Sequence, residues 1–226
     1  MLIVLVMLET AVVAQPLPKA VIMPWFCLQR CGATVSQIEA HVADLAALNA
    51  NDTLRTEAVA FERYNLGPNA TLVFNSELYD INALLRLNYS TVVKRRIAMI
   101  SSYPYPPQFL TWMRQLFSNS SGFITQLIKE LVAHQIDGVN VDFEPTSNAT
   151  ALDAFRYAEF LQRLKEQLGQ AGKVVTVAAA TWSNVWNLTL IAEALAPTAE
   201  SNHIPGYLTS MNTYTYDNVQ SSRCWN

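Results

Sequence analysis

Residues 136–145 read Ile-Asp-Gly-Val-Asn-Val-Asp-Phe-Glu-Pro, in which apolar and polar side chains alternate after an Asp-Gly turn. Strict alternation predicts a β-strand whose two faces differ in chemistry. At a rise of ~3.3 Å per residue, side chains two positions apart line up about 6–7 Å from each other. One face then carries Asn140, Asp142 and Glu144, and the other carries Val139, Val141 and Phe143. Pro145 cannot donate a hydrogen bond to a neighbouring strand, so the strand ends there.

The polar face of this strand brings two carboxyl groups together. Buried carboxylates repel each other and lose hydration, so one of them is predicted to hold its proton at neutral pH. A protonated carboxyl group is what a glycosidase requires as its general acid. The alternative is the solvated outer face of an edge strand, where these residues would have no catalytic role.

The same decapeptide resembles the fourth-strand signature of glycoside hydrolase family 18, the chitinases and their relatives. In that signature an Asp-Gly turn leads into alternating acids that end in the catalytic glutamate. The residues that match it are Asp137, Gly138, Asp142 and Glu144. Asn140 departs from it, because most chitinases carry Asp there. An Asn at this position is similar to the chitobiase branch, so we interpret it as the mark of a subfamily.

The chain as a whole alternates strands with helices, which predicts an α/β fold with a parallel sheet. Besides the strand at 136–145, strands are predicted at 20–27, 58–64, 97–101, 173–180 and 207–214. The family resemblance implies a (β/α)8 TIM barrel, for which ~250 residues are typical. Only about six βα units are counted. We therefore expect an incomplete barrel whose last strands are missing, with residues 15–226 as a partial family 18 catalytic domain.

Helices are predicted from caps and from apolar residues at helical spacing. Thr34 with Gln37 and Thr150 with Asp153 mark two helix starts, and Gly169 and Gly172 mark one helix end. Further helices are predicted at 79–87, 124–132 and 190–195. The apolar stripe at 124–132 includes Val132, and the one after Thr150 includes Leu152 and Phe155.

The resemblance also implies roles for the acids, through the substrate-assisted chemistry of family 18. Glu144 would protonate the glycosidic oxygen, while the sugar's own 2-acetamido group attacks the anomeric carbon. Asp142 would orient that acetamide and offset its developing positive charge. Asn140 would hydrogen-bond Asp142 without exchanging a proton with it.

Two further landmarks of the family are present only in altered form. The Met-x-Tyr-Asp run of strand six corresponds to residues 211–217, Met-Asn-Thr-Tyr-Thr-Tyr-Asp. Alignment on Asp217 makes Tyr216 the acetamide-binding residue, whereas alignment on Met211 favours Tyr214. The Ser-x-Gly-Gly signature of strand three is replaced by Ser101-Ser102-Tyr103, and the strand-eight tryptophan has no counterpart.

Several aromatic side chains follow the predicted strands and are able either to stack on sugar rings or to pack in the core. They are Trp25, Trp182, Trp186, Tyr103 and Tyr105. The three histidines lie far apart, at His41, His134 and His203, without the spacing of metal ligands. No metal and no cofactor are therefore predicted.

The N-terminal segment points to export. Residues 1–14 combine an apolar run with small residues at a cleavage position, which predicts a secretory signal, although a buried N-terminal strand or helix is the alternative. Six Asn-x-Ser/Thr sequons, which also arise by chance, suit a secreted or lysosomal glycoprotein: Asn51, Asn69, Asn88, Asn119, Asn148 and Asn187. Cys27 and Cys31 are close enough in sequence to pair, which leaves Cys224.

Composition is that of a globular protein, with 51% hydrophobic and 15% charged residues and a net charge of −3. No basic cluster indicates nucleic acid, and no apolar run of ~20 residues indicates a membrane span. The sequence therefore predicts a glycoside hydrolase acting on β-1,4-linked N-acetylglucosamine in chitin or chito-oligosaccharides. The alternatives are a chitinase-like lectin without turnover and an inactive truncated fragment that self-associates.

Overall fold

The computed structural model describes residues 21–26, 34–50, 55–56, 58–74, 95–146, 148–179, 183–196 and 207–211. The helices in this part of the chain are Val35–Ala50 (α1), Phe109–Ser118 (α2), Ser121–Ala133 (α3), Ala151–Gln170 (α4) and Leu188–Leu195 (α5). The strands are Val21–Ile22 (β1), Trp25–Phe26 (β2), Arg55–Thr56 (β3), Ala58–Gly67 (β4), Thr71–Phe74 (β5), Arg95–Ser101 (β6), Gly138–Asp142 (β7), Val174–Ala179 (β8) and Tyr207–Met211 (β9).

The main sheet is a parallel wall whose strand order follows the chain. Its order is β2-β4-β6-β7-β8-β9, and every neighbouring pair along this path is parallel. Helices α2 and α3 connect β6 to β7, α4 connects β7 to β8, and α5 lies between β8 and β9. This is the sequential winding of a TIM-barrel wall. The predicted α/β class and its parallel sheet are confirmed, and the wall is not closed into a barrel in the described part of the chain.

Two predicted strands differ in extent from the sequence prediction. The first strand is divided into β1 and β2, and β1 pairs with β3 in a separate two-stranded sheet. The second strand, predicted to end at residue 64, continues as β4 to Gly67 and folds back through a 3-10 turn at Pro68–Ala70. The returning strand β5 pairs with β4 in antiparallel fashion. A hairpin therefore extends the second barrel strand beyond the sheet.

The helices confirm the predicted caps. The Thr150 hydroxyl accepts from the Asp153 N–H while the Asp153 carboxylate accepts from the Thr150 N–H, and Thr34 and Gln37 make the same reciprocal pair. Helix α4 ends at Gln170, before Gly172 with its φ of 69°. The predicted helix at 79–87 lies outside the described residues.

The predicted apolar faces of α3 and α4 are confirmed in the main, since Ile124, Leu127 and Leu131 of α3 and Leu161, Leu164 and Leu168 of α4 are buried, but three of their members were predicted wrongly. Val132 is 56% exposed, and Leu152 and Phe155 are 55% and 51% exposed. In α4 the buried face instead carries Asp153, Ala154, Tyr157, Ala158, Phe160, Leu161, Leu164 and Leu168. The buried face of α4 includes the capping residue Asp153, whose carboxylate is paired with Arg114 on α2, and Leu152 and Phe155 fall outside this face. Helix α2 was not predicted, although its buried residues recur at helical spacing: Phe109, Leu110, Met113, Leu116 and Phe117.

The core has two parts, one on each side of the sheet. The larger part lies between the sheet and its helices, and an aromatic cluster forms its centre around Phe143, whose ring lies 5.5 Å from Phe109 and 6.3 Å from Phe160. The smaller part lies on the inner face of the sheet and consists of Ala58, Ala60, Ile97 and Val174 with Met23. Positions that alternate with the larger core therefore point into the barrel.

Among the described residues, none of the helices is both long and apolar enough to span a bilayer.

Candidate active site

Strand β7 holds the candidate acids at the centre of the sheet, between β6 and β8. Val139, Val141 and Phe143 are fully buried against the helices. Alternation therefore turns Asn140 and Asp142 to the inner face, where they are 5% and 8% exposed. Glu144 follows two residues beyond the end of the strand and is half-buried. The predicted strand and its two faces are confirmed, and the alternative of a solvated edge strand is wrong.

The first two residues of the signature anchor the opposite end of β7. The Asp137 carboxylate accepts a 2.8 Å hydrogen bond from the Arg96 N–H at the start of β6, and the Asp137 carbonyl accepts from the Val174 N–H at 3.0 Å. A side chain at position 138 would collide with the Val174 carbonyl oxygen, so only glycine allows β8 to lie this close. Asp137 and Gly138 thus position the strand and stand apart from Glu144.

Asn140 makes its side-chain hydrogen bond sideways, to the neighbouring strand. Its amide nitrogen donates to the Thr176 hydroxyl of β8 at 2.8 Å, and that hydroxyl donates to the Val139 carbonyl at 3.2 Å. The sequence predicted a bond from Asn140 to Asp142, and the bond that the structure gives is to Thr176. This difference arises because β8 places a hydroxyl in register with Asn140.

The end of β6 supports the two carboxyl-bearing residues. The Ser102 N–H donates to the Asp142 carbonyl at 3.2 Å, and the Glu144 N–H donates to the Ser102 hydroxyl oxygen at 3.2 Å. Ser101 lies in register with Asp142, and its hydroxyl donates to the Asn65 side chain at 2.7 Å. Ser101 and Ser102 therefore occupy the place of the absent Ser-x-Gly-Gly signature with contacts of their own.

A bulge in β4 determines which side chains of the second strand reach the interior. The register with β6 shifts between Glu62 and Tyr64, so Arg63 is an extra residue. Without it, strict alternation would turn Asn65 towards the helices. Arg63 lies on the helix side, where its guanidinium is 3.3 Å from His134 Nε2 and 4.0 Å from the Glu130 carboxylate. After the bulge, Asn65 lies in register with Ser101 and accepts its hydroxyl hydrogen bond.

Tyr157 of α4 lies behind the candidate acids and responds both to its own burial and to the charge of Asp142. Its side chain is fully buried behind Phe143, at a ring distance of 6.2 Å. Burial raises the pKa of the Tyr157 hydroxyl, and the negative charge of Asp142 raises it further. The wall behind the acids is therefore aromatic and buried, with the Tyr157 hydroxyl inside it.

The sequence-predicted residues divide into four groups. The structure places Asn140 and Asp142 on the inner face of β7, and Glu144 follows two residues after the strand ends. It places Trp25 on β2, three strands away in the sheet order and 38% exposed. Trp186 is buried at 5% exposure, and the rings of Tyr103 and Tyr105 lie 6.0 Å apart after β6. Four candidates lie outside the described residues: Trp182, Tyr214, Tyr216 and Asp217.

Sequence reasoning missed three buried polar residues of the inner face, Glu62, Asn65 and Thr176. Thr176 is the one polar residue in the otherwise apolar strand Val174–Ala179, and this interruption is visible in the sequence as a sign of a buried polar position. Glu62 is in register with Met99, which is itself in register with Asn140. Asn65 faces inwards only because of the bulge, and the alternation of apolar and polar residues in the sequence does not reveal that bulge.

Among the described residues, no group of three or more histidine, cysteine, aspartate or glutamate side chains is arranged to hold a metal ion.

A parallel wall of sequential βα units, with acids at the carboxyl end of a central strand, is the architecture of a TIM-barrel enzyme. The family described as glycosyl hydrolases family 18 matches residues 55–224, which is more than half of the chain. The chain therefore belongs to glycosyl hydrolases family 18. Comparison with curated proteins gives no match.

Solved structures share the fold at low sequence identity. A chitinase from Chromobacterium violaceum ATCC 12472 has a TM-score of 0.57 at 17% identity, over 78% of this chain and 53% of that one. A class V chitinase from Pseudomonas fluorescens Pf-5 has a TM-score of 0.57 at 16% identity, over 77% and 52%. A group II chitinase catalytic domain from Ostrinia furnacalis, in complex with penta-N-acetylchitooctaose, has a TM-score of 0.51 at 13% identity, over 62% and 41%. The chain thus spans about half the length of the first two.

Proposed function

We propose that this chain carries the acid-bearing part of a glycosidase that hydrolyses β-1,4-linked N-acetylglucosamine in chitin or chito-oligosaccharides. The observation that supports it best is the position of Glu144. Glu144 is half-buried and follows a central parallel strand, two residues after the buried Asp142. Carboxyl ends of barrel strands are where TIM-barrel enzymes place their catalytic groups.

The proposed reaction is substrate-assisted and retains the anomeric configuration. Glu144 gives its proton to the glycosidic oxygen as the bond to the anomeric carbon breaks. The carbonyl oxygen of the 2-acetamido group forms a bond to that carbon and yields an oxazolinium ion. Asp142 orients the acetamide and offsets its positive charge. Water then attacks the anomeric carbon as its bond to the acetamide oxygen breaks, which restores the acetamide, and Glu144 takes back a proton from the attacking water.

The remaining predicted residues belong to this proposal as substrate contacts. Tyr216 and Asp217, with Tyr214 as the other alignment, would hold the acetamide, and Trp182 and Trp25 would stack on sugar rings.

The test is release of a chromophore from a chromogenic N-acetylglucosaminide or chito-oligosaccharide. Glu144→Gln keeps the shape of the side chain but removes the proton, and loss of one general acid lowers rates by ~10²–10⁴-fold. Glu159→Gln changes an exposed glutamate of α4 in the same way and serves as the control. Equal rates for wild type and Glu144→Gln would end the catalytic assignment. A rate that stays flat from acid to alkaline pH would also contradict it, because a general acid must be protonated.

The second candidate is a chitin-binding protein without turnover. It is favoured by Asn140, whose amide is bonded to Thr176 and cannot exchange a proton with Asp142. Retention on chitin beads with no hydrolysis, equally in wild type and Glu144→Gln, would support this candidate over the first.

We also propose that residues 1–14 direct the chain to a secreted or lysosomal location. The sequons within the described residues support this, because Asn69, Asn119, Asn148 and Asn187 are all exposed.

A further inference from the structure

Two side chains of the inner face and one backbone carbonyl of β7 form a hydrogen-bond chain between β7 and β8. The Val139 carbonyl accepts from the Thr176 hydroxyl at 3.2 Å, and the same hydroxyl oxygen accepts from the Asn140 amide at 2.8 Å. Thr176 is 2% exposed and Asn140 is 5% exposed, so water has little access to either group. Buried polar groups of this kind need their protein partners.

The direction of this chain follows from chemistry alone. A backbone carbonyl only accepts hydrogen bonds, so the single proton of the Thr176 hydroxyl points to Val139. The hydroxyl then has only lone pairs to offer to Asn140, and the Asn140 side chain must present its NH2 group. The oxygen and nitrogen of an asparagine amide have nearly the same shape, so its orientation is assigned from its hydrogen bonds. Here the Thr176 hydroxyl fixes the orientation of the Asn140 amide.

The orientation has a consequence for the site. Oxygen and nitrogen stand on different sides of the amide carbon, so with the nitrogen turned to β8 the Asn140 oxygen is turned away from β8. The residues on its remaining sides are Met99, its register partner on β6, and Asp142, two residues ahead on the same face. An ionised aspartate at position 140 has no proton to donate to the Thr176 hydroxyl, whereas the asparagine NH2 group donates to it while that hydroxyl donates to Val139.

We propose that Thr176 is a positioning residue for the reaction proposed above, on which this inference rests. It fixes the Asn140 amide as an oriented dipole beside Asp142. Fixed dipoles in a dry site act on charge that develops during the reaction without having to reorient. Removal of the Thr176 hydroxyl frees the amide to rotate, so Asp142 faces a disordered neighbour.

The test compares Thr176→Val, which keeps the shape but removes the hydroxyl, with Thr176→Ser, which keeps the hydroxyl. We expect kcat to fall ~10- to 100-fold in Thr176→Val with KM changed less than about threefold, because small losses of positioning act on the chemical step. Thr176→Ser should restore most of kcat. Thr125→Val alters an exposed threonine of α3 in the same way and should leave kcat unchanged.

A second readout does not depend on turnover. In nitrogen-15 NMR spectra, the Asn140 side-chain amide protons, assigned by their loss in Asn140→Asp, should exchange slowly with solvent in wild type. In Thr176→Val their exchange should be at least about tenfold faster, as expected when a buried hydrogen bond is lost.

The outcomes separate this inference from the proposed function. If Glu144→Gln is as active as wild type, the proposed function is wrong. If Glu144→Gln is inactive but Thr176→Val is fully active, only the proposed role of Thr176 is wrong. Failure of Thr176→Ser to restore kcat would mean that volume and not the hydroxyl matters, and unchanged amide exchange in Thr176→Val would overturn the hydrogen-bond chain itself.

Discussion

Gly138 is the residue of the signature whose identity depends most directly on packing. It begins β7 in register with Ile97 on one side and Val174 on the other. A Cβ atom there would collide with the backbone oxygen and the side chain of Val174. Since backbone cannot rotate away as a side chain does, β8 would have to separate from β7.

We therefore expect Gly138→Ala to lower the free energy of unfolding by about 1–3 kcal/mol, in the range of overpacked cores. Urea denaturation measures it. Gly169→Ala is the matched control, because a Cβ at position 169 of α4 meets open space. The control should stabilise by about 0.5–1 kcal/mol, since alanine is the better helix former. Equal effects of the two substitutions would contradict the close approach of β8.

At the scale of elements, a buried carboxylate joins helix α4 to α2, in addition to the packing of Phe117 against Tyr157 and Phe160. Asp153 accepts from Arg114 Nε at 2.7 Å and Nη2 at 2.8 Å, and it also caps the helix through the Thr150 N–H at 2.8 Å. These hydrogen bonds, with that from Arg114 the strongest influence, hold the pKa of Asp153 well below its usual range, although burial opposes them. The helix that follows the acid-bearing strand is positioned by this group.

The lowered pKa predicts how stability depends on pH. Because the folded pKa lies below the unfolded value of ~3.9, the stabilisation is complete above that value and is lost as pH falls towards the folded pKa. Asp153→Asn should cost about 1–3 kcal/mol at pH 7, the range for a cap and a charged hydrogen bond, and progressively less at acid pH. Denaturation at several pH values measures this.

Asp44→Asn, at an exposed position of α1, provides the control and should leave the pH dependence unchanged. A cost of Asp153→Asn that is the same at pH 7 and in strong acid would show that Asp153 acts by shape and not by charge.

At the scale of the whole molecule, the described sheet is a parallel wall from β2 to β9 with one inner and one helix-covered face. The polar inner face lies at β4, β6, β7 and β8, where the acids and their partners come together. Four sequons lie on the exposed surface around this wall, and Asn187 also caps α5 through its side-chain oxygen.

If the chain is exported as proposed, expression in a eukaryotic secretory host should yield a glycoprotein. Enzymatic removal of N-linked glycans should then lower its apparent mass on a gel. Asn119→Gln should remove one glycan, because Asn119 is exposed at the end of α2, whereas Asn184→Gln, an exposed asparagine outside any sequon, should remove none. An unchanged mass after deglycosylation would contradict export through this route.

The sequence by itself determined the features that depend on neighbours along the chain. Alternation at 139–144 predicted the strand and its two faces, and the capping pair at Thr150 and Asp153 predicted the start of α4. Local periodicity predicts these features because the backbone repeat of a strand or helix determines the direction in which each side chain points. The alternation of strands and helices likewise predicted a parallel α/β wall.

Only the tertiary structure decided the contacts between elements. The bond of Asn140 to Thr176 depends on the register of β8 against β7, and the position of Asn65 depends on a bulge at Arg63. The buried face of α4 includes Asp153, which is paired with Arg114 on α2, and leaves Leu152 and Phe155 exposed. Partners 36 to 41 residues apart, such as Asn140 and Thr176 or Arg96 and Asp137, meet because parallel strands lie side by side, and no local pattern records that register.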